Sequence, residues 1–273
     1  MISSAVFQIT VPICYLAAGW LSGAQARSAE PARLARFLIP AFLIGGVGAV
    51  LHAALLRSVV ATATGLELGV TNVLSMIAWV IALIALFAAS RGRLSGLSAF
   101  LLPCAAAGAA VTGLGPQRTV TFAAGWEVDA HVLLSVAAYS LLSIAAALAV
   151  LMALQQRRLR AARPPGWVGM LPPVEAMERT LFGMIGAGFG LLSLALFSGF
   201  MFLEDWFAQH LVHKTVLSVA AWLVFAALLF GRWRFGWRGS RAITLTLCGF
   251  GVLVLAYFGS KLVLEAILGT QWS

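Results

Sequence analysis

The sequence predicts an all-α, polytopic integral membrane protein with about eight transmembrane helices in one bundle and both termini outside the cytoplasm. The chain is 62% hydrophobic and only 10% charged, whereas a soluble domain is usually about 45–50% apolar. Apolar stretches of about twenty residues recur along its whole length, and each can cross a hydrocarbon core of about 30 Å as a helix. Since every backbone polar group must be satisfied inside lipid, helices are the expected spanning element.

The eight predicted spans are expected to form one domain over residues 1–273. They cover approximately residues 5–22, 38–57, 68–89, 95–114, 130–154, 181–203, 211–230 and 242–266. The first has no positive residue ahead of it and no small-residue cleavage site, which predicts a retained helix rather than a signal peptide. The fourth is rich in Gly and Ala and contains Pro103. In the sixth, Gly186 and Gly190 are spaced to let a neighbouring helix approach, and Gly45, Gly46 and Gly48 suggest the same in the second.

Basic residues set the predicted orientation. Most of the 18 Lys and Arg residues fall in alternate loops that the positive-inside rule places in the cytoplasm, namely Arg27, Arg33, Arg36, Arg91, Arg93, Arg157, Arg158, Arg160, Arg163, Arg179, Arg232, Arg234, Arg238 and Arg241. The other side keeps Arg57, Arg118, Lys214 and Lys261. Topology and attraction to anionic membrane lipids thus account for the net charge of +9. Because the cations are spread over four loops, no nucleic-acid partner is expected.

The sequence disfavours several function classes. Cys14, Cys104 and Cys248 stand singly in different spans without any CxxC pair, so no disulfide framework or thiolate metal site is expected. The glycine-rich run GMIGAGFG lies inside a membrane span with no strand before it, which argues against nucleotide binding. No Ser/His/Asp triad is visible, and no acid lies deep in a span. We therefore predict that the protein is not an enzyme and has no carboxylate ion relay.

The four histidines, His52, His131, His210 and His213, all fall on the predicted outer half of the chain. His52 lies in the apolar run VLHAALLR, where an unpartnered imidazole is costly and an ionisable group is a functional candidate. His131 opens the fifth span behind Asp129, which is placed to cap the helix. An interfacial histidine with its ring among the headgroups is the competing interpretation of His131. Neutral imidazoles on different helices could ligate one haem iron axially.

Haem also carries two propionates, which need cations. The outer side offers Arg57, close behind His52 in the second span, together with Lys214 and Lys261. Lys261 stands inside the eighth span with Glu265 one turn later. A lysine that snorkels to the interface while pairing with that glutamate is therefore the competing interpretation of Lys261.

Four segments carry a resemblance to a known family: HVLLSVAAYSLLSIAAAL, LFGMIGAGFGLLSLALFSGF, HKTVLSVAAWLVFAALLFGRWRFGWRGSRA and LAYFGSKLV. They resemble the cytochrome c assembly superfamily, the haem-handling membrane proteins that include CcsA, CcmC and CcmF. With LHAALLR and TNVLSMIAW in the N-terminal third, nearly the whole chain resembles the short, eight-span YpjD/HemX-like branch. The resemblance implies haem held at the outer membrane face by histidines that flank a tryptophan-rich segment. His131 lies where the first of these ligands is expected.

The tryptophan-rich segment is reduced in this chain. SGFMFLEDWFAQHLVHKTVLSVAAW retains Trp206, Lys214 and Trp222 but lacks the full WGxxWxWDPKE pattern of the family. Two later histidines of the family are also missing, one from the span that ends ALLFGRW and one from the final helix. These absences argue against cytochrome c synthase activity and leave non-covalent binding of haem b as the prediction.

The predicted haem site draws on residues from several spans. Its members, ordered by role, are the axial iron ligands His52 and His131 with His210 or His213 as substitutes, the porphyrin walls Trp126, Tyr139 and Trp206, and the propionate partners Lys214, Lys261 and Arg57. The predicted function is haem handling, accessory to haem trafficking or cytochrome c biogenesis, by a multi-pass protein of the bacterial inner membrane. The expected partners are haem, membrane lipids and membrane proteins of haem or cytochrome biogenesis.

Two other functions stay open. The basic loop QQRRLRAARPPGWVGMLPPVEAMERT, residues 155–180, could be the working surface of a non-haem accessory or regulatory protein that acts on a cation-transport or tetrapyrrole-synthesis complex. The competing interpretation of that loop is a stop-transfer charge cluster followed by a solvated linker. A transporter is the third possibility, supported by Lys261 inside a span but weakened by the lack of a buried carboxylate.

Overall fold

The computed structural model of the chain is almost entirely helical. It describes residues 4–27, 31–62, 65–90, 95–114, 119–121, 126–161, 166–202 and 209–259. Within these ranges the α-helices are α1 (Ser4–Arg27), α2 (Pro31–Val60), α3 (Val70–Ser90), α4 (Ser95–Ala110), α5 (Trp126–Arg160), α6 (Val174–Phe202), α7 (Gln209–Phe235) and α8 (Ser240–Val254). A 3-10 helix covers Gly166–Met170, and α8 continues into a π-helical turn at Leu255–Gly259. The prediction of an all-α membrane protein is confirmed.

Each of the eight predicted spans coincides with a helix as far as the described residues reach; the last residue of the sixth span and residues 260–266 of the eighth lie outside them. In the described part of the chain, seven helices are long and apolar enough to cross a membrane. The exception is α4, whose 16 residues are fewer than the about 20 that a perpendicular span needs. α5 runs on to Arg160 and α6 already begins at Val174, so both extend beyond their apolar runs. The orientation of the helices across the membrane stays a prediction.

The helices fall into two compact units, and each is described by itself. The N-terminal unit comprises Met1–Ala123 with Arg157–Ala176, and the C-terminal unit comprises Ala124–Gln156 with Met177–Ser273. The first contains α1 to α4, and the second contains most of α5 and α6 together with α7 and α8. The prediction of one bundle and one domain over residues 1–273 stays a prediction.

The N-terminal unit is a closed ring of four helices. α1 packs against α2 and α4, and α3 packs against the same two helices. Small side chains allow these close approaches: a Cβ added at Gly48 of α2 would lie 2.9 Å from the Cys14 Cβ of α1, and one at Gly108 of α4 would collide with Ala78 of α3. The predicted role of the glycines in the second span is therefore confirmed for Gly48 and for Gly45, where an added Cβ would collide with Leu86 of α3. It is wrong for Gly46, where, among the described residues, an added Cβ would meet open space. Dispersion between closely spaced backbones is the main attraction available to helices in lipid.

A small antiparallel sheet joins two loops at one end of this ring. Its strands are β1 (Ala61–Thr62), β2 (Gly65–Glu67) and β3 (Thr119–Thr121), in the order β1-β2-β3. Strands of two or three residues are too short to show an alternating pattern, so the sequence did not predict them. They connect the segment after α2 with the segment that follows α4.

The C-terminal unit is a second ring of four helices. α5 meets α6 where Leu142 lies against Gly188, and α6 meets α7 through the stacked rings of Phe189 and Trp222, 5.3 Å apart. α7 packs against α8. The end of α8 returns to α5, where Tyr139 and Tyr257 have ring centroids 6.0 Å apart. Successive helices alternate in direction, so the start of α5, the end of α6 and the start of α7 lie at one end of the unit.

The predicted packing face of the sixth span was wrong. Among the described residues, a Cβ added at Gly186 or Gly190 would meet no atom within 4 Å, so both glycines face open space there. The residue that permits close approach is Gly188, where an added Cβ would lie 2.9 Å from the Leu142 side chain. The spacing in GMIGAGFG fits either face of the helix, and spacing alone did not decide between them.

Candidate functional site

The predicted site residues are distributed over both units. His52 and Arg57 lie on α2 in the N-terminal unit, whereas His131 and Tyr139 on α5 and Lys214 on α7 lie in the C-terminal unit. The remaining candidates are only partly described: the structure gives just the helical backbone of Trp126, His210 and His213, and Trp206 and Lys261 lie outside the described residues. The pairing of His52 with His131 on one iron stays a prediction.

His52 is fully buried and stands at the centre of a hydrogen-bonded chain across the N-terminal unit. Its Nδ1 lies 3.2 Å from the Tyr15 hydroxyl of α1, and its Nε2 lies 2.8 Å from the Ser75 hydroxyl of α3. Ser75 Oγ lies 2.6 Å from Thr112 Oγ1, which donates to the Ala109 carbonyl at 2.6 Å. The chain therefore connects α1, α2 and α3 with the turn that ends α4.

The direction of this chain follows from counting hydrogens. Thr112 has one hydroxyl hydrogen and gives it to Ala109, so it must accept from Ser75. Ser75 must then accept from His52 Nε2–H, which leaves Nδ1 to accept from the Tyr15 hydroxyl. His52 is thus a neutral imidazole in its Nε2–H form with both ring nitrogens engaged. Iron ligation by His52 would require the loss of one of these hydrogen bonds.

Further hydrogen bonds hold the same end of the N-terminal unit together. Gln8 Nε2 donates to the Thr112 carbonyl at 2.9 Å. Asn72 Oδ1 accepts from the Gly113 amide at 3.1 Å, and Asn72 Nδ2 donates to the Glu67 carbonyl at 3.1 Å. Gly113 has a φ of +71°, a conformation that favours glycine, and this turn presents its amide to Asn72. These partners were missed by the sequence reasoning. Polar residues inside the apolar run TNVLSMIAW were the only available signal.

His131 is half-buried near the start of α5 and has a different pattern of partners. Its Nδ1 lies 2.9 Å from the Ser198 hydroxyl of α6. Ser198 is buried and donates its one hydrogen to the Ala195 carbonyl at 2.9 Å. Ser198 Oγ must therefore accept from His131 Nδ1–H, which leaves the lone pair of the ring on Nε2. That is the form of imidazole that binds a metal through Nε2 while a hydrogen bond from Nδ1 fixes the ring.

Tyr139 lies deeper on α5 and is held against the end of α8. Its hydroxyl donates to the Leu253 carbonyl at 2.9 Å, and its ring meets Tyr257 edge to face. Leu253 precedes the π-helical turn at Leu255–Gly259, where the backbone hydrogen bonds change from the i→i−4 to the i→i−5 pattern. The Tyr139 hydroxyl is therefore committed to the backbone of α8, and only its ring remains to contact a ligand.

The two described cations stand at helix ends. Arg57 is exposed in the last turn of α2, and Lys214 is half-buried in the second turn of α7. Two contacts between α6 and α7, Ser193 with Trp222 and Glu178 with Arg232, set an antiparallel register that brings Lys214 to about the level of Ser198. In the part of the chain that the structure describes, no group of three or more His, Cys, Asp or Glu side chains could hold a metal ion. A haem iron needs only one or two axial side chains.

The comparisons with known proteins point to one family. The family model described as Cytochrome C assembly protein matches residues 41–268. Inner membrane protein YpjD of Escherichia coli K12 is 31% identical over 205 residues, which are 75% of this chain and 78% of the relative. A 28.8 kDa protein of Azospirillum brasilense is 37% identical over 149 residues, 54% of this chain and 55% of the relative. No solved structure matches the chain.

Cytochrome c biogenesis protein CcsA of a Synechococcus strain is also similar. It is 28% identical over 130 residues, 42% of this chain and 37% of the relative. The similarity to CcsA thus covers less than half of either protein, whereas that to YpjD extends over three quarters of both. The family match from residue 41 to 268 includes every predicted site residue.

Proposed function

Because the chain belongs to the cytochrome c assembly protein family, we propose that it handles haem in the bacterial inner membrane, as an accessory to haem trafficking or cytochrome c biogenesis. Two relatives support both parts of this proposal: YpjD is named as an inner membrane protein, and CcsA as a cytochrome c biogenesis protein. Haem b, bound without a covalent bond near the outer face, would be the cargo. We assign no catalytic step to the protein.

The observation that carries this proposal is the hydrogen bond from His131 to Ser198. It leaves the lone pair on Nε2 of a half-buried ring, so the imidazole is already in the form that an iron ligand requires. The ring orientation is fixed before haem arrives, which lowers the entropic cost of binding. His131 is therefore the proposed axial ligand.

The second axial ligand is chosen from the other three histidines. His210 and His213 lie in the first turns of α7, in the same unit as His131 and at the end of the unit where Ser198 stands. His52 would first have to give up its hydrogen bond to Tyr15 or to Ser75. On this ground we favour His210 or His213 over His52.

The rest of the proposed site supplies apolar walls and cations. The Tyr139 ring, together with Trp126 and Trp206, would contact the porphyrin, whose flat apolar body suits aromatic side chains. Lys214, which lies at about the level of Ser198, is the favoured partner of a propionate, and Arg57 and Lys261 remain the further candidates. Charge-assisted hydrogen bonds to a carboxylate are among the stronger polar contacts.

The test is a haem titration of the purified full-length chain, followed by its Soret absorbance. The wild-type protein is expected to give a Soret band with saturable binding, and His131→Ala is expected to lose it. Ser140→Ala is the matched control, because Ser140 lies on the same helix and donates only to the Val136 carbonyl. A band that persists unchanged in His131→Ala, or that never forms in the wild type, contradicts the proposal.

The same titration identifies the second ligand. Substitution of the second axial histidine is expected to convert a six-coordinate haem into a five-coordinate one without abolishing binding. The variants His52→Ala, His210→Ala and His213→Ala are therefore compared by their visible and electron paramagnetic resonance spectra. If His52→Ala alone changes the coordination number, the preference for α7 is wrong and the originally predicted pair is favoured.

The regulatory function of the basic loop is the second candidate, and one observation favours it. Part of this loop is folded: Trp167 of the 3-10 helix packs on Phe100 of α4 at 5.4 Å, and Arg158 lies over the same indole at 5.5 Å. Arg27 also donates to the Met170 sulfur at 3.1 Å. A shaped surface of this kind could bind a partner. Loss of function in Arg157→Gln/Arg160→Gln with normal haem content would favour this candidate.

A further inference from the structure

The turn between α7 and α8 is a rigid structure built around one carboxylate. Glu178 of α6 accepts a hydrogen bond from Arg232 Nη1 at 2.9 Å and another from the Gly239 amide at 3.4 Å. The Arg232 guanidinium also lies over the Phe182 ring, 4.6 Å from its centroid. Arg232 and Glu178 thus neutralise one another inside the turn and fix its position against α6.

An indole closes the turn. Trp237 lies over Gly231 so closely that any Cβ at Gly231 would collide with the ring, and the Trp237 amide donates to the Gly231 carbonyl at 3.2 Å. Gly236 and Gly239 have φ of +65° and +58°, so both turn positions need glycine. The GWRG sequence therefore specifies one backbone path, and the side chains beside it are held in place.

Positive charge is in excess at this turn. Arg238 lies 3.7 Å from Glu178 but its side chain is 71% exposed, so that pair is loose. Arg234 and Arg241 are exposed as well, and among the residues that the structure describes neither has an acidic partner. Three exposed guanidiniums therefore lie on this short segment, and among the described residues the one carboxylate paired with it, Glu178 of α6, is already bound to Arg232.

Exposed aromatic side chains accompany these arginines. Trp233 is 81% exposed and Phe235 is 63% exposed, both in the last turn of the membrane helix α7. Phe230, one turn earlier, is also exposed. An indole prefers the level of the lipid headgroups, where its ring contacts acyl chains and its N–H meets water. The basic and the aromatic side chains are therefore expected to lie at the boundary between headgroups and hydrocarbon.

We propose that Arg234, Arg238 and Arg241 bind the phosphate headgroup of an anionic phospholipid whose acyl chains lie along Trp233 and Phe230. Guanidinium groups bind phosphate oxygens through paired hydrogen bonds, and an anionic lipid supplies the charge that this turn lacks. A soluble anion would leave the two aromatic side chains unused. An acidic protein segment would match the charge but would have to approach at the depth of the headgroups.

Lipid binding to the purified full-length protein tests this assignment. Native mass spectrometry measures retention of dioleoylphosphatidylglycerol against dioleoylphosphatidylcholine in the wild type and in Arg234→Gln/Arg238→Gln/Arg241→Gln. An arginine near an anionic surface contributes about fivefold in affinity, so the triple variant is expected to bind phosphatidylglycerol on the order of 100-fold more weakly. The matched control is Arg157→Gln/Arg160→Gln/Arg179→Gln, which removes three exposed arginines elsewhere and is expected to keep its lipid.

Four results would overturn the assignment. Equal loss in both triple variants would show a general effect of charge, and equal retention of the two lipids would show apolar contact alone. Stabilisation by inorganic phosphate as large as that by phosphatidylglycerol would make a free anion the occupant. Lipid retention that the substitutions leave unchanged would point instead to a protein partner for the arginines. If the triple variant does not fold, the single variant Arg241→Gln is expected to bind phosphatidylglycerol about fivefold more weakly than the wild type.

Discussion

Each unit of the protein places one histidine among hydroxyl groups of neighbouring helices, and the two histidines end in opposite tautomers. In the N-terminal unit His52 donates from Nε2 to Ser75 and accepts at Nδ1 from Tyr15, so neither nitrogen remains for a ligand. In the C-terminal unit His131 donates from Nδ1 to Ser198 and keeps its lone pair on Nε2. The hydroxyl partners on adjacent helices, rather than the depth of the histidine in its apolar run, therefore decide which ring keeps a nitrogen lone pair without a hydrogen bond from a hydroxyl.

The largest effect on stability is expected from His52→Ala. The change opens a cavity and leaves the Tyr15 and Ser75 hydroxyls without their partner, a combined loss of about 3 kcal/mol in the free energy of unfolding. Thermal unfolding in detergent measures it, and haem content is followed in the same samples. If His52→Ala stays stable but loses haem, then His52 binds haem rather than stabilises the fold, and the distinction drawn between the two histidines is wrong.

Ser198→Ala tests the histidine of the C-terminal unit and is expected to lower its haem affinity. Without Ser198 the His131 ring loses the hydroxyl that accepts from Nδ1–H, and loss of such a partner lowers metal affinity by about 10- to 100-fold. Haem titration measures the affinity, and resonance Raman spectroscopy reports the iron–histidine bond. Ser198→Thr retains the hydroxyl and is expected to restore binding, whereas Ser193→Ala on the same helix is expected to leave it unchanged. Wild-type affinity in Ser198→Ala would show that the hydrogen bond does not position His131.

A smaller effect is expected where α5 and α6 approach most closely. In Gly188→Ala the new Cβ would lie 2.9 Å from the side chain of the fully buried Leu142, a clash of about 1–2 kcal/mol that also disturbs the helix pair carrying His131 and Ser198. Gly186→Ala is the matched control, because its new Cβ would meet open space and alanine is a better helix former than glycine. Thermal unfolding should rank Gly188→Ala below wild type and Gly186→Ala at or above it. The reverse order would contradict the packing described for α6.

The smallest effect is expected from Tyr139→Phe. The variant removes only the hydrogen bond to the Leu253 carbonyl, and such bonds between membrane helices contribute about 0.6 kcal/mol on average. Haem affinity should stay near that of the wild type, because the ring that would contact the porphyrin is retained. A large loss of haem binding would show instead that the hydroxyl itself meets the ligand.

The helices could be predicted because their signal is local. An apolar run of sufficient length allows one backbone solution in lipid, and all eight runs are helical over the residues that the structure describes. The polar extensions of α5 and α6 and the short strands near Leu66 and Val120 carry no such signal. The packing face of GMIGAGFG was chosen wrongly, because small residues at several spacings occur in the same run and only the neighbouring helix selects among them.

The site was predictable only in part, because its chemistry depends on partners distant in sequence. Ser75 follows His52 by 23 positions, and Ser198 follows His131 by 67. The apolar surroundings of His52 predicted that the residue matters, but they could not show that both its nitrogens are bonded within the fold. For His131 the sequence predicted an imidazole at a span boundary, and Ser198 carried no signal that would single it out from other serines in spans.

The backbone carbonyl of Ala109 in α4 sets the direction of a hydrogen-bonded chain that extends to α1. Since Thr112 must direct its hydrogen to Ala109, the orientation of every hydrogen back to Tyr15 on the first helix is settled in turn. Four side chains would have to rotate or exchange protons together to reverse that order. Tautomer exchange of the His52 ring should consequently be slow and concerted, and its two nitrogen resonances should report at once on any disturbance at the far end of α4.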